Sequence, residues 1–281
     1  MVLRMRLRRL TLADVPVAAQ LAAEAFGGGA REARLRRYLT LEPEGWFAVE
    51  DAGTLLATGG VVRYPGFAWL GLMAVRPGRQ REGLGRTVAG AAIDWARARG
   101  CPTVCLIATP AGIPLYQHLG FAPDGDSSEL AGVPHLATPT EGPYEVHPWR
   151  PADTTGVARF DAPAFGADRS HLLDAYVRDF SRSAWVARDG AGALRGFLVV
   201  QDESIGPWAA SDETAAGQLL DVGLAGIDRS LKAGVLDEMG ERLLLARGLV
   251  RTRGLPRMRL GPAVDHASFP RLLAHASYAV G

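Results

Sequence analysis

Lysine is almost missing from this chain: Lys232 is the only one, and every other basic residue is arginine. The 31 basic residues face 30 acidic ones, which leaves a formal net charge of +1. Such a balance provides no general attraction toward nucleic acid or a membrane surface. Cysteine is scarce too, with only Cys101 and Cys105. They lie in or beside one strand with no His/Cys cluster, which excludes a disulfide framework and argues against zinc; they read as small buried hydrophobes. No apolar run approaches the ~20 residues of a membrane span. Met1–Leu12 alternates arginine with apolar residues, a strand pattern and not the core of a signal peptide. A cytoplasmic location is expected.

What is present suits two soluble α/β domains. The chain has 281 residues, 48% of them hydrophobic and 22% charged, enough for two cores of about 140 residues each. Period and turn signals predict a strand over Leu3–Leu10, helices over Ala13–Phe26 and Arg31–Leu41, and strands over Trp46–Glu50, Leu55–Arg63 and Phe67–Val75. A helix over Leu84–Arg99, a strand over Val104–Ala108 and a short helix over Ala111–Leu119 follow. Ala131–Pro143, rich in Pro, Gly and Thr, reads as a linker. The same order of elements then restarts at Tyr144. This predicts an internal duplication, with domains at 1–130 and 144–281 joined by 131–143. In the second half, Leu249–Thr252 and Met258–Gly261 read as two separate short strands.

The stretch between Val75 and Leu84 carries the chemistry. It is a loop rich in Gly and Arg that opens a helix, and a helix start offers free N–H groups and the positive end of the dipole to an anion. Gly83 and Gly85 allow close approach and a positive φ. The arginines Arg79, Arg81 and Arg86 are suited to phosphate. A dinucleotide-binding reading fails, because the third spaced glycine is absent.

Val75-Arg76-Pro77, then Gln80-Arg81-Glu82-Gly83-Leu84-Gly85, then Tyr116 and Leu119-Gly120-Phe121 resemble the GCN5-related N-acetyltransferases (GNAT). The Gln80–Gly85 segment fits every fixed position of that family's Gln/Arg-x-x-Gly-x-Gly/Ala signature. The resemblance covers about Met1–Leu130. It implies an α/β (α+β) fold with a mixed, splayed central sheet flanked by helices. It also implies an acetyl-CoA-dependent N-acetyltransferase that uses no metal. By the same resemblance, the backbone of Met73, Ala74 and Val75 holds the amide-bearing arm of acetyl-CoA. Gln80, Arg81, Glu82, Gly83, Leu84, Gly85 and Arg86 hold its pyrophosphate. Thr109 stands where many members have an asparagine that contacts the cofactor. Tyr116 is the candidate general acid that protonates the departing thiolate. The general base is open among Glu44, Glu50 and Asp94.

The second half, Tyr144–Gly281, is similar to a divergent copy of the same fold. Trp208-Ala209-Ala210-Ser211 stands where the cradle belongs, and aligning Gly248 with Gly120 puts Leu244 at the place of Tyr116. The expectation is one site per chain, in the first half. The acceptor is a small-molecule or peptide amine, and the protein is a monomeric pseudo-dimer or a homodimer. The alternative function is a non-catalytic acyl-CoA-binding or regulatory protein.

Overall fold

The computed structural model describes residues 5–29, 31–135 and 138–281. Part of the expected first strand and two linker positions therefore lie outside the described residues. The chain forms two compact units. The first comprises Met1–Asp124, Arg257–Val264 and Val280; the second comprises Gly125–Pro256, Asp265–Ala279 and Gly281.

In the first unit the elements are β1 (Arg6–Arg9), α1 (Val15–Phe26), α2 (Glu32–Leu41), β2 (Trp46–Asp51), β3 (Thr54–Tyr64), β4 (Phe67–Val75), α3 (Leu84–Arg97), β5 (Thr103–Ile107) and α4 (Ile113–His118). Strands β1 to β5 lie side by side in chain order. All neighbours are antiparallel except β4 and β5, which run parallel. Helix α3 forms because its apolar residues recur at helical spacing: Leu84, Val88, Ala92, Ile93 and Ala96 are all buried. They pack with Phe47, Val49, Leu70, Val104 and Leu106 into one core.

The second unit repeats the order with β7 (Glu145–Pro148), α5 (Thr154–Phe165), α6 (Ser170–Asp179), β8 (Ala184–Arg188), β9 (Leu194–Val200), β10 (Ser204–Ala210), α7 (Glu213–Gly223), β11 (Leu231–Val235) and α8 (Glu238–Leu245). The recurrence of this order matches the expected duplication.

The boundaries differ from the sequence reading in three places, each for a pairing reason. First, β6 (Ala122–Gly132) runs on past Phe121 and pairs antiparallel with β11 from Ser128↔Val235 to Gly132↔Leu231. The division therefore falls at Asp124/Gly125 rather than near residue 130. Second, the two short strands expected around Gly254-Leu255-Pro256 are one, β12 (Val250–Leu260). Its Arg257–Leu260 half pairs with β5 and belongs to the first unit. Third, the segment read as a linker is bonded within the second unit. The His135 N–H donates to the Arg247 carbonyl at 3.0 Å, and the Thr140 N–H donates to Asp221 Oδ2 at 2.7 Å. A final strand, β13 (Arg271–Ala274), gave no period-2 signal in its few residues and was not anticipated.

Candidate active site

Strands β4 and β5 pair only at Phe67↔Thr103, Ala68↔Val104 and Trp69↔Cys105. Beyond Trp69 and Cys105 they separate. Leu70–Val75 keeps its partner β3, through pairs such as Thr58↔Ala74 and Ala57↔Val75. Its other edge has no strand beside it among the described residues. Leu72 takes φ +51, a left-handed conformation unusual for a non-glycine residue, and the β3–β4 register shifts at the same level. The Arg76 N–H donates to Leu56 of β3 at 2.8 Å. Strand alternation then turns the N–H and C=O of Val75 and Met73 to the opposite, open edge. The Met73 side chain packs over Gly59, where its sulfur would meet any added Cβ.

The loop after β4 is wound tightly. Gly78, Arg81 and Gly83 all have positive φ, and Gly83 is the left-handed N-cap of α3. The first backbone bond of the helix is Thr87 N–H to Gly83 C=O at 3.0 Å. The N–H groups of Arg81 to Arg86 make no hydrogen bond among the described residues. They form a run of unspent donors at the positive end of a helix dipole. Gly85 fixes the placement of that run. A Cβ there would lie 3.3 Å from Leu115 Cδ2 and 3.5 Å from Val75 Cγ2. The helix start therefore sits against both the end of β4 and the helix that carries Tyr116.

The three arginines of the loop are not equivalent. Arg79 grips Glu82, with Nε to Oε1 at 2.7 Å and Nη2 to Oε2 at 2.8 Å. That partner raises the Arg79 pKa and lowers that of Glu82. Arg81 and Arg86 are exposed and make no ion pair among the described residues. Gln80 is exposed as well, and Leu84 is buried in the core.

Tyr116 lies on α4 with its ring edge-on to Phe121 at 5.7 Å between centroids. Only 7% of the residue is accessible, and its hydroxyl makes no hydrogen bond among the described residues. Burial pushes its pKa up, so the phenol keeps its proton at neutral pH. The ring lies over Gly112, where an added Cβ would come 2.9 Å from Tyr116 Cε2 and 3.5 Å from Thr109 Oγ1. Thr109 and Tyr116 thus share one small region. The Thr109 carbonyl accepts from Gly112 at 2.8 Å, which starts α4 despite Pro110 and Pro114.

The three expected general bases do not gather here. Glu44 is bound by Arg99 at 2.6 Å, near the far end of α3 from the loop. Glu50 accepts from Arg8 at 2.6 Å, and Asp94 is exposed on the helix. A carboxylate that sequence reasoning missed is Glu24 on α1, 3.5 Å from Arg76, which directly follows β4. Nothing in the local sequence distinguishes it from a solvated helix residue; only the packing of α1 on β4 brings it there. Cys105 is 5% exposed, and burial pushes its thiol up to about 12, so it is no nucleophile. Among the described residues there is no group of three or more His, Cys, Asp or Glu side chains arranged to hold a metal ion.

The second unit has the same frame with the gap filled. β10 and β11 pair in parallel at Ser204↔Lys232 and Ile205↔Ala233 and then part. β13 enters between them, pairing Trp208↔Ala274 and Ala210↔Arg271 on one side and Val235↔Ala274 on the other. The turn into α7 is short, and the Asp212 carboxylate caps it by accepting from Ala215 N–H at 2.9 Å. Leu244 is the counterpart of Tyr116. Phe121 N–H donates to Tyr116 C=O at 3.0 Å and Leu249 N–H to Leu244 C=O at 3.2 Å, and Gly120 and Gly248 share φ near +90.

Two family models match the two halves. Residues 16–121 match the Acetyltransferase (GNAT) family and residues 157–268 match an Acetyltransferase (GNAT) domain. The chain is a tandem GNAT-family protein. It is 28% identical over 173 residues to the uncharacterized N-acetyltransferase YitH of Bacillus subtilis, a match that spans 60% of this chain and 60% of that relative. The fold is shared with a putative acetyltransferase from Pyrococcus horikoshii, at a TM-score of 0.85 and 23% identity over 99% of this chain and 96% of that one. It is also shared with a GCN5-related N-acetyltransferase from Sphaerobacter thermophilus, at a TM-score of 0.67 and 17% identity over 93% of this chain and 98% of that one. A tandem GNAT protein from the clavulanic acid biosynthesis pathway aligns at a TM-score of 0.64 and 16% identity, covering 92% of this chain and 100% of that one. Membership supports acyl transfer to an amine. No helix among the described residues is long and apolar enough to cross a membrane.

Proposed function

We propose that this tandem GNAT protein is an acetyl-CoA-dependent N-acetyltransferase with one active site, in its first unit. The observation that carries this reading is the meeting of an open β4 edge with the unspent N–H groups of Arg81–Arg86, held together by Gly85 against Val75 and Leu115. An extended arm rich in amides needs strand-like partners, and the N–H and C=O of Met73 and Val75 offer them. A pyrophosphate needs convergent N–H donors, which the start of α3 supplies, with Arg81 and Arg86 as counter-charges. Thr109 offers a further hydroxyl beside Tyr116. The Ala74 backbone, turned toward β3, pairs with Thr58 there.

Acetyl-CoA supplies an acyl group activated as a thioester. In the transfer an amine nitrogen bonds to the acyl carbon and the carbon–sulfur bond breaks. The Tyr116 phenol gives its proton to the departing sulfur. The nitrogen also loses a proton, and Glu24 is the carboxylate we assign to take it. Incubation with acetyl-CoA and a panel of amines, read by free thiol, tests the proposal. Thiol release that depends on both an amine and Tyr116 is expected. Tight acetyl-CoA binding with no turnover across the panel would instead favour a non-catalytic acyl-CoA-binding protein.

A further inference from the structure

Where β3 and β4 slip in register, Thr58 faces Ala74 and Gly60 faces Gly71. Leu72 and Met73 of β4 therefore share a single opposite residue, Gly59, in a β-bulge. Gly59 has no positive φ, so the backbone does not require glycine at that point. Space does. A Cβ on Gly59 would run into the Met73 sulfur and would lie 3.2 Å from Met73 Cε. Gly60, the next residue, answers to a different neighbour. A Cβ there would meet the Trp46 ring at 2.5 Å and the Gly45 carbonyl oxygen at 2.6 Å, which is packing against the start of β2.

β4 lies between β3 and the gap that opens toward β5. A thioether seated on Gly59 is therefore turned away from the edge to which Met73 offers its N–H and C=O. A methionine side chain is unbranched and flexible, so its end yields before the backbone does. With a Cβ on Gly59 the thioether loses its seat over β3. It then has to stand up over β4, in the path of anything laid along the open edge.

We infer that Gly59 is a positioning residue for the cofactor: it seats the Met73 thioether over β3 and so keeps the β4 edge clear for the amide-bearing arm of acetyl-CoA. This rests on the acetyltransferase reading above. The heavy atoms nearest to a Cβ on Gly59 all belong to Met73 and none to the loop before α3. The effect is therefore on the arm and not on the phosphates.

The test is calorimetric and needs no turnover. Two probes are titrated into the full chain: acetyl-CoA, and 3′-phosphoadenosine 5′-diphosphate, which carries the pyrophosphate but no arm. Gly59→Ala is made both in wild type and in Met73→Ala, as a double-mutant cycle. In the wild-type background Gly59→Ala is expected to weaken acetyl-CoA at least 10-fold and the nucleotide under threefold. In the Met73→Ala background the same change is expected to weaken acetyl-CoA under threefold, because no thioether is left to displace. A loss under threefold in the wild-type background, an equal loss in both backgrounds, or a parallel loss of the nucleotide overturns the inference. Met73→Phe keeps Gly59 and gives the same answer if Gly59→Ala does not fold. Its ring is too broad for the seat and is expected to weaken acetyl-CoA at least 10-fold; unchanged binding overturns the inference. Failure of wild type to bind acetyl-CoA overturns the acetyltransferase reading instead.

Discussion

Trp208 and Ala274 stand opposite each other in an antiparallel pair, and that pair lies where the second unit would otherwise be open. In the first unit the corresponding strand, β4, has no strand beside that edge beyond Trp69 among the described residues. A ligand arm that binds as a strand has to compete with β13 for β10, and β13 is covalently tethered there. The α7 start is also taken, by the Asp212 carboxylate. Calorimetry with acetyl-CoA is therefore expected to give one site per chain. A second site of comparable affinity would contradict the reading of β13 as a filler.

Tyr116→Phe removes the one phenol proton without emptying the space of the ring. A general acid contributes roughly 10²–10⁴ in rate, so kcat is expected to fall about 100-fold or more while acetyl-CoA affinity changes little. Burial raises the Tyr116 pKa, so the residue stays protonated as pH rises through the neutral and mildly alkaline range. The wild-type kcat profile is accordingly expected to show no alkaline decline below about pH 10 from this group. A kcat within threefold of wild type for the variant would remove Tyr116 from the mechanism.

Glu24→Gln tests the proton acceptor. If Glu24 takes the proton of the amine, the variant is expected to be impaired most near neutral pH and to recover as pH rises, because the free amine then arrives neutral by itself. A defect that is constant from pH 7 to 10 would point to packing of α1 rather than proton transfer.

Arg79, Arg81 and Arg86 look alike in the sequence, and the structure separates them. Arg79 is engaged by Glu82 through three hydrogen bonds, whereas Arg81 and Arg86 are not paired among the described residues. Replacing Arg81 or Arg86 by alanine is expected to weaken acetyl-CoA binding about tenfold each at low salt, with a smaller effect at high salt. Arg79→Ala is expected to change it under threefold. Equal effects for all three would mean that Arg79 leaves Glu82 when the ligand arrives.

Much of this arrangement was legible from local signals. The strand ending at Val75, the glycine loop and the Leu84 helix start are set by apolar period and by residues able to take positive φ, and these are properties of neighbours in sequence. The Gly120 cap of α4 is of the same kind, and it located both Tyr116 and, through Gly248, Leu244. What escaped depends on distant pairing. β6 was underestimated because its continuation is fixed by β11, about a hundred residues away. The four residues of β13 acquire strand character only between β10 and β11. Glu24 required the packing of α1 against β4, which no motif encodes.

Asp161 and Arg169 are both fully buried in the second unit and joined by two bonds of 2.6 and 2.8 Å, with the guanidinium carbon 4.1 Å from the centre of the Phe165 ring. Burying two charges costs solvation that their mutual attraction only about offsets, so the pair is a weak source of net stability. Removing one partner is different, because the other charge is left inside. Asp161→Ala is expected to destabilise the chain by about 3–5 kcal/mol, and replacing both residues by apolar ones of similar volume by much less. Urea unfolding of wild type, the single variant and the double variant measures both quantities. If the single and double replacements cost the same, the bonds themselves stabilise the unit; if the double variant regains most of the loss, the pair holds α5 and α6 in one register at little net energetic gain.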